Sequence, residues 1–171
     1  MDKGLRAVLL LLVSAVVIAF FLPWVEVESQ HVGAVSKILT GKKQAAIDSI
    51  SGFEAPLRAN SDEARLAVSV IGIFAPDTQD ADKKSFLVFL IPGIAIGIYY
   101  LCKNYGKSPF LHLLLCVVAL TIFGAGLYKI LTTDMDKLIL NVKIGSGLWI
   151  TLAAYLGIGI VEALAFLEQK K

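Results

Sequence analysis

The chain predicts an all-α integral membrane protein: a bundle of four transmembrane helices under a folded extracytoplasmic cap of short helices, with a small two-stranded element within that cap. Three observations predict it. Apolar sequence is gathered into unbroken blocks within 1–22, 85–102, 109–128 and 147–167, each close to the ~20 residues that cross a hydrocarbon core. Charge is nearly absent from these blocks, with Arg6 near the start of the first and Glu162 inside the last. Of the 171 residues, 57% are hydrophobic and 18% charged, whereas a soluble domain has typically ~45–50% and ~25%. In lipid the backbone must satisfy its own hydrogen bonds, so continuous apolar runs become helices. A β-barrel would need alternating strands instead.

Taken in order, the first block follows Lys3 and Arg6 as a signal peptide would. Its end, Phe20-Phe21-Leu22-Pro23-Trp24, has no small-x-small cleavage pattern, so it is expected to be a retained span. Ala15 and Ala19 form a small-residue seam, and Trp24 belongs at a membrane–water interface. Val25-Glu26-Val27-Glu28 alternates as a short strand does. The cap, 23–84, is too apolar for a disordered linker. Short helices are expected at 31–39 and 44–50, broken at Gly41, with turns at Ser51-Gly52 and Ala55-Pro56. Asn60 or Ser61 would cap a helix that opens with Asp62 and Glu63. Leu66, Val70, Ile71 and Phe74 give that helix an apolar face before Ala75-Pro76 stops it, and 77–84 reads as a solvated tether.

The second span holds Pro92-Gly93 near its middle, where proline tends to kink a helix, and Gly93 and Gly97 make a GxxxG pair. Such pairs let another backbone approach closely, here expected within the bundle. The turn 103–108 is short, so spans two and three form an antiparallel hairpin, with Pro109 at a favoured first-turn position. His112 and Cys116 lie four apart on one face of span three. In the loop 129–146, the stretch 138–142 is a second candidate strand, expected to pair with Val25–Glu28. Gly157 and Gly159 in span four are further close-packing positions. Lys3, Arg6, Lys103, Lys107, Lys170 and Lys171 fall on one side of a four-span topology. The positive-inside rule makes that side cytoplasmic and puts both termini there; with no Asn-x-Ser/Thr sequon in the chain, the expected membrane is a bacterial inner membrane.

Chemistry is sparse. Glu162 shares a helical face with Thr151, Tyr155 and Gly159, about 7 Å from the inner end of its span at 1.5 Å per residue. A charge at mid-bilayer costs ~2.5–3.5 kcal/mol on insertion scales, so Glu162 needs a partner. His112 enters from the same side at similar depth, which makes Glu162 and His112 a candidate intramembrane polar pair. No cofactor and no metal are expected: a haem would need a second axial ligand, and His31 falls outside the membrane. Cys116 reads as a small core residue. Asp134-Met135-Asp136 reads as a capped helix start behind Thr133 rather than a metal-holding acid pair. No GxSxG, HExxH, P-loop or Cys-x-x-Cys is present. With a net charge of +2 and no basic stripe, no nucleic-acid partner is expected.

The layout, four spans with a long first outer loop and a shorter second one, resembles that of claudins. Trp24 matches their loop tryptophan, but Gly147-Leu148-Trp149 lies at span four and the outer loops hold no cysteine. The resemblance is one of layout and implies no function. The expected role is a non-catalytic accessory or structural subunit of a larger membrane complex, whose partners are other membrane subunits and the lipid bilayer. The alternative is a small homo-oligomeric transporter or channel with Glu162 in its pathway. A membrane-embedded enzyme using Asp134 and Asp136 is a third, weaker reading.

Overall fold

A computed structural model describes residues 2–29, 46–54, 57, 88–132 and 141–169. The element order is α1 (Lys3–Phe21), β1 (Pro23–Ser29), β2 (Ala46–Ser51), α2 (Leu90–Tyr105), α3 (Pro109–Thr132), β3 (Asn141–Ile144) and α4 (Ser146–Gln169). α1, α3 and α4, of 19, 24 and 24 residues, are long and apolar enough to cross a membrane. α2 has 16 residues, and positions 85–87 of its expected span lie outside the described residues. So do the helices expected at 31–39 and 62–74, the tether 77–84, and Asp134 and Asp136.

α4 is the central element. It packs along both α3 and α1, and α1 also contacts α2. The core threads between the helices through Leu9, Val13 and Val16 of α1, Ala95 and Ile98 of α2, Leu115 and Ala119 of α3, and Ala154, Tyr155 and Ile158 of α4. Leu11, Phe110, Leu131 and Ile160 point outward and are exposed, the distribution expected of helices whose outer faces meet an apolar solvent. Pro92 falls in the first turn of α2, after a short 3-10 turn at 88–89. It therefore does not kink a helix middle as its sequence position suggested; first-turn N–H groups have no intrahelical acceptor, and a missing one costs little there.

The two-stranded element expected from sequence is a three-stranded antiparallel sheet of order β2-β1-β3. Val25, Glu26, Val27 and Glu28 pair with Ile144, Lys143, Val142 and Asn141 of β3; of the strand expected at 138–142, positions 141 and 142 lie in β3 and 138–140 lie outside the described residues. On its other edge β1 pairs with β2 from Ser29↔Ala46 to Pro23↔Ser51. The helix expected at 44–50 is thus corrected: 46–51 is a strand. Its apolar positions fit either period over so short a run, and pairing to β1 decides for the strand. A register shift between Pro23 and Val25 lets the consecutive residues Trp24 and Val25 both be buried, as a bulge allows.

This sheet is bound to the helix ends by a second apolar cluster of Phe20, Trp24, Val25, Ile50, Val88 and Leu148. The Trp24 indole donates from Nε1 to the Ala19 carbonyl at 2.9 Å, a second donor beside the Leu22 N–H that caps the end of α1 at 3.2 Å. Phe20 stacks edge-on with Trp24, Phe53 and Phe89 at 5.8, 6.4 and 5.6 Å. Ser51-Gly52-Phe53-Glu54 is a reciprocal capping box: Ser51 N donates to Glu54 Oε2 and Glu54 N to Ser51 Oγ, both at 3.2 Å.

At the start of α4 the backbone passes so close to the end of α1 that a Cβ on Gly147 would sit 2.7 Å from the Ala19 carbonyl oxygen and 2.8 Å from that of Leu22. Neither can rotate away. A Cβ on Gly93 meets no described atom within 4 Å. Gly147→Ala should lower the thermal unfolding midpoint in detergent, read by circular dichroism. Gly93→Ala should leave it unchanged or raise it, since alanine favours a helix by ~1 kcal/mol over glycine.

Candidate functional site: a buried carboxyl, imidazole and thiol cluster

At the end of the bundle opposite the sheet, three helices each contribute one polar side chain to a common point. α4 supplies Glu162, α3 supplies His112 and α2 supplies Cys102, and all three have 0% relative exposure. The α2–α3 hairpin makes the meeting possible. α2 ends at Tyr105, Gly106 turns the chain, and α3 begins at Pro109, so residues a turn or two either side of Gly106 lie at matching depth. A Cβ on Gly106 would collide with the Cys102 carbonyl oxygen; the tightness of this turn sets the height of Cys102.

The hydrogen bonds fix most of the protons. His112 Nδ1 lies 2.6 Å from Glu162 Oε2, and His112 Nε2 lies 3.2 Å from the Gly106 carbonyl oxygen. A carbonyl oxygen only accepts, so Nε2 carries a proton. The contact between Nδ1 and Oε2 then holds one further proton. Either the carboxylic acid donates to a neutral imidazole, or the imidazolium donates to a carboxylate. Both arrangements are neutral overall, which is what a buried pair requires. The Cys102 thiol donates to the remaining carboxyl oxygen, Oε1, at 3.0 Å. Gln169 Nε2 donates to the same Gly106 carbonyl at 2.8 Å, while its Oε1 is buried without a hydrogen-bond partner among the described residues.

The rest of the polar face of α4 is also engaged. Thr151 Oγ1 donates to the Gly147 carbonyl of its own helix at 2.8 Å, and the Tyr155 hydroxyl donates to the Ile91 carbonyl oxygen of α2. Gly159 faces Leu120 and Ala119 of α3, and Gly157 faces Leu12 of α1. Gly93 and Gly97, expected to pack within the bundle, meet no described atom within 4 Å. Cys116, one turn beyond His112, is buried and belongs to the apolar wall.

Glu162 and His112 were the sequence's candidate pair, and they stand in direct contact. Cys102 was not linked to them, nor were Gly106 and Gln169. A signal for Cys102 existed in the hairpin, because an antiparallel turn centred near Gly106 brings Cys102 and His112 to similar depth. Nothing in residue type or spacing marks the Gly106 carbonyl. Comparison with protein-family models, known proteins and solved structures found no match.

Glutamine can reproduce the acid form of Glu162, since its oxygen can accept from Cys102 and its amide N–H can donate to His112 Nδ1. Glu162→Gln is therefore expected to change stability by less than about 1 kcal/mol. Glu162→Ala leaves thiol and imidazole without a partner and should cost roughly 1–3 kcal/mol for each buried group left unsatisfied. Denaturant titration in micelles followed by circular dichroism measures both; equal losses would refute this proton assignment.

Proposed function

We propose that the chain is a non-catalytic structural subunit of a larger membrane assembly, with four spans, both termini cytoplasmic, in a bacterial inner membrane. The observation that carries the reading is the open glycine face of α2. Gly93 and Gly97 lie one turn apart with no described atom within 4 Å of an added Cβ, and such a face admits a second helix backbone at close range. Two features support it. The polar groups of α4 are directed into the bundle, with Glu162 and Thr151 buried together with His112 of α3, which favours a registry role for the acid over a place in a transport pathway. The sheet and its aromatic seat also give the chain a folded platform at the opposite end, to which a partner's extramembrane part can add.

In this reading Glu162 holds helices in place, and the surface that matters to a partner is α2. Native membranes solubilised in mild detergent should yield the 18.4 kDa chain in a species of fixed stoichiometry. Replacing Gly93 and Gly97 together by Leu should release it from that species while the unfolding midpoint of the isolated chain is retained. A chain that migrates as a stable monomer from native membranes, or an assembly indifferent to both leucines, overturns the proposal.

A further inference from the structure

The Cys102–His112–Glu162 cluster has a property that a polar staple does not need: it presents three different metal-ligating atoms to one another. Cys102 Sγ, a ring nitrogen of His112 and a carboxyl oxygen of Glu162 all lie within 4.8 Å of one another. We propose that these three residues bind a divalent, borderline-soft transition-metal cation of the zinc type. The inference does not depend on the chain being a subunit of an assembly.

Four features of the geometry point to it. The donor set of thiolate, imidazole and carboxylate is the set that zinc accepts, with bonds of about 2.3, 2.0 and 2.0–2.2 Å. Tetrahedral angles at those lengths put the donor atoms about 3.3–3.7 Å apart; one donor atom from each residue already lies within 4.8 Å of the other two, so each edge changes by at most about 1.5 Å, which rotation of the Cys102 and Glu162 side chains supplies. The imidazole is already set for ligation. Its Nε2–H is held by the Gly106 carbonyl, leaving Nδ1 turned towards the cluster, and a ligating histidine characteristically donates its second N–H to such an acceptor. Finally, the Gln169 amide, anchored on the same carbonyl, keeps Oε1 buried with no donor among the described residues. That end of the bundle therefore has, among the described residues, an acceptor to spare beside the carbonyl that orients the imidazole.

Charge balance selects the valence. Without metal the cluster is neutral, with one proton on sulfur and one between Nδ1 and Oε2. Binding breaks the S–H bond, removes the shared proton and releases both to solvent. Thiolate, carboxylate and neutral imidazole with a dication again sum to zero. A monovalent ion would leave a buried negative charge and a trivalent ion a buried positive one, each costly away from water. Two protons are exchanged for one dication with no change in buried charge.

Purified chain stripped with chelator and titrated with cobalt(II) should take up one ion per chain and develop the near-ultraviolet thiolate-to-cobalt charge-transfer band, which zinc then abolishes. Cys102→Ser should remove the band and weaken cobalt binding at least tenfold, whereas Cys116→Ser should leave both unchanged. In wild type, zinc should protect Cys102 but not Cys116 from alkylation in mild denaturant, a readout that survives even if Cys102→Ser fails to fold. Absence of stoichiometric binding, a band that persists in Cys102→Ser, or equal alkylation of Cys102 with and without zinc overturns the proposal.

Discussion

A carboxyl group in a low-dielectric interior must be given hydrogen-bond partners, and Glu162 cannot find them on its own helix. Helical backbone donors around it are already used by the i→i−4 ladder, and the side chains one turn away, Ile158 and Phe166, are apolar. Its two oxygens therefore reach to two other helices, Oε2 to His112 on α3 and Oε1 to Cys102 on α2. Apolar packing alone tolerates sliding, because one leucine row resembles the next. A hydrogen bond that must be made at one height does not. The acid thus fixes the axial register of three helices at once, and the Gly106 carbonyl, which accepts from both His112 and Gln169, joins the hairpin turn and the end of α4 to that arrangement.

The opposite end is fixed by different means. There the helices meet a sheet whose central strand directly follows α1 and whose edge strand β3 directly precedes α4. Pairing of β1 with β3 ties the ends of those two helices, and Gly147 lets them come within backbone contact. Trp24 fills the junction and adds a second donor to the Ala19 carbonyl. Midway, α2 is attached to α4 by Tyr155 donating to the Ile91 carbonyl. Pro92 follows that carbonyl, and as the residue of α2 without an N–H it marks where the first turn begins. Directional polar contacts thus occur at three heights, with apolar packing between them.

Helices were legible because their determinant is local and redundant: α1, α3 and α4 need only long apolar runs, and many single changes would leave them recognisable. Glu162 and His112 were legible for the opposite reason, since a polar residue in such a run demands an explanation and antiparallel depth supplies one. The strand 46–51 was misread because AIDSIS has too few residues to separate one period from the other, and its identity depends on β1, some twenty residues away in the chain. Cys102 was overlooked because a thiol in an apolar helix is usually only a small apolar residue; its role comes from the turn beside it. Gly93 and Gly97 show the limit of motif reading. GxxxG states that a backbone can be approached closely, not which backbone approaches it, and the described residues of this chain do not.

The neutrality of the cluster links its structural and chemical sides. A lysine or arginine opposite Glu162 would also cancel charge, but it would fix the pair as an ion pair with long, strongly hydrated arms. Imidazole and thiol are compact and share protons with the acid, so the group packs into a space closed to water and needs no net charge in any state. The same three groups lose protons to become ligands, which gives them a second neutral state with a dication at the centre. Three helices joined through such a centre would be joined by coordinate bonds where hydrogen bonds now serve, without altering the charge buried in the bundle. The register set by Glu162 is therefore the same register that a metal ion would hold, and the stapling and binding roles of the cluster require no conflict between them.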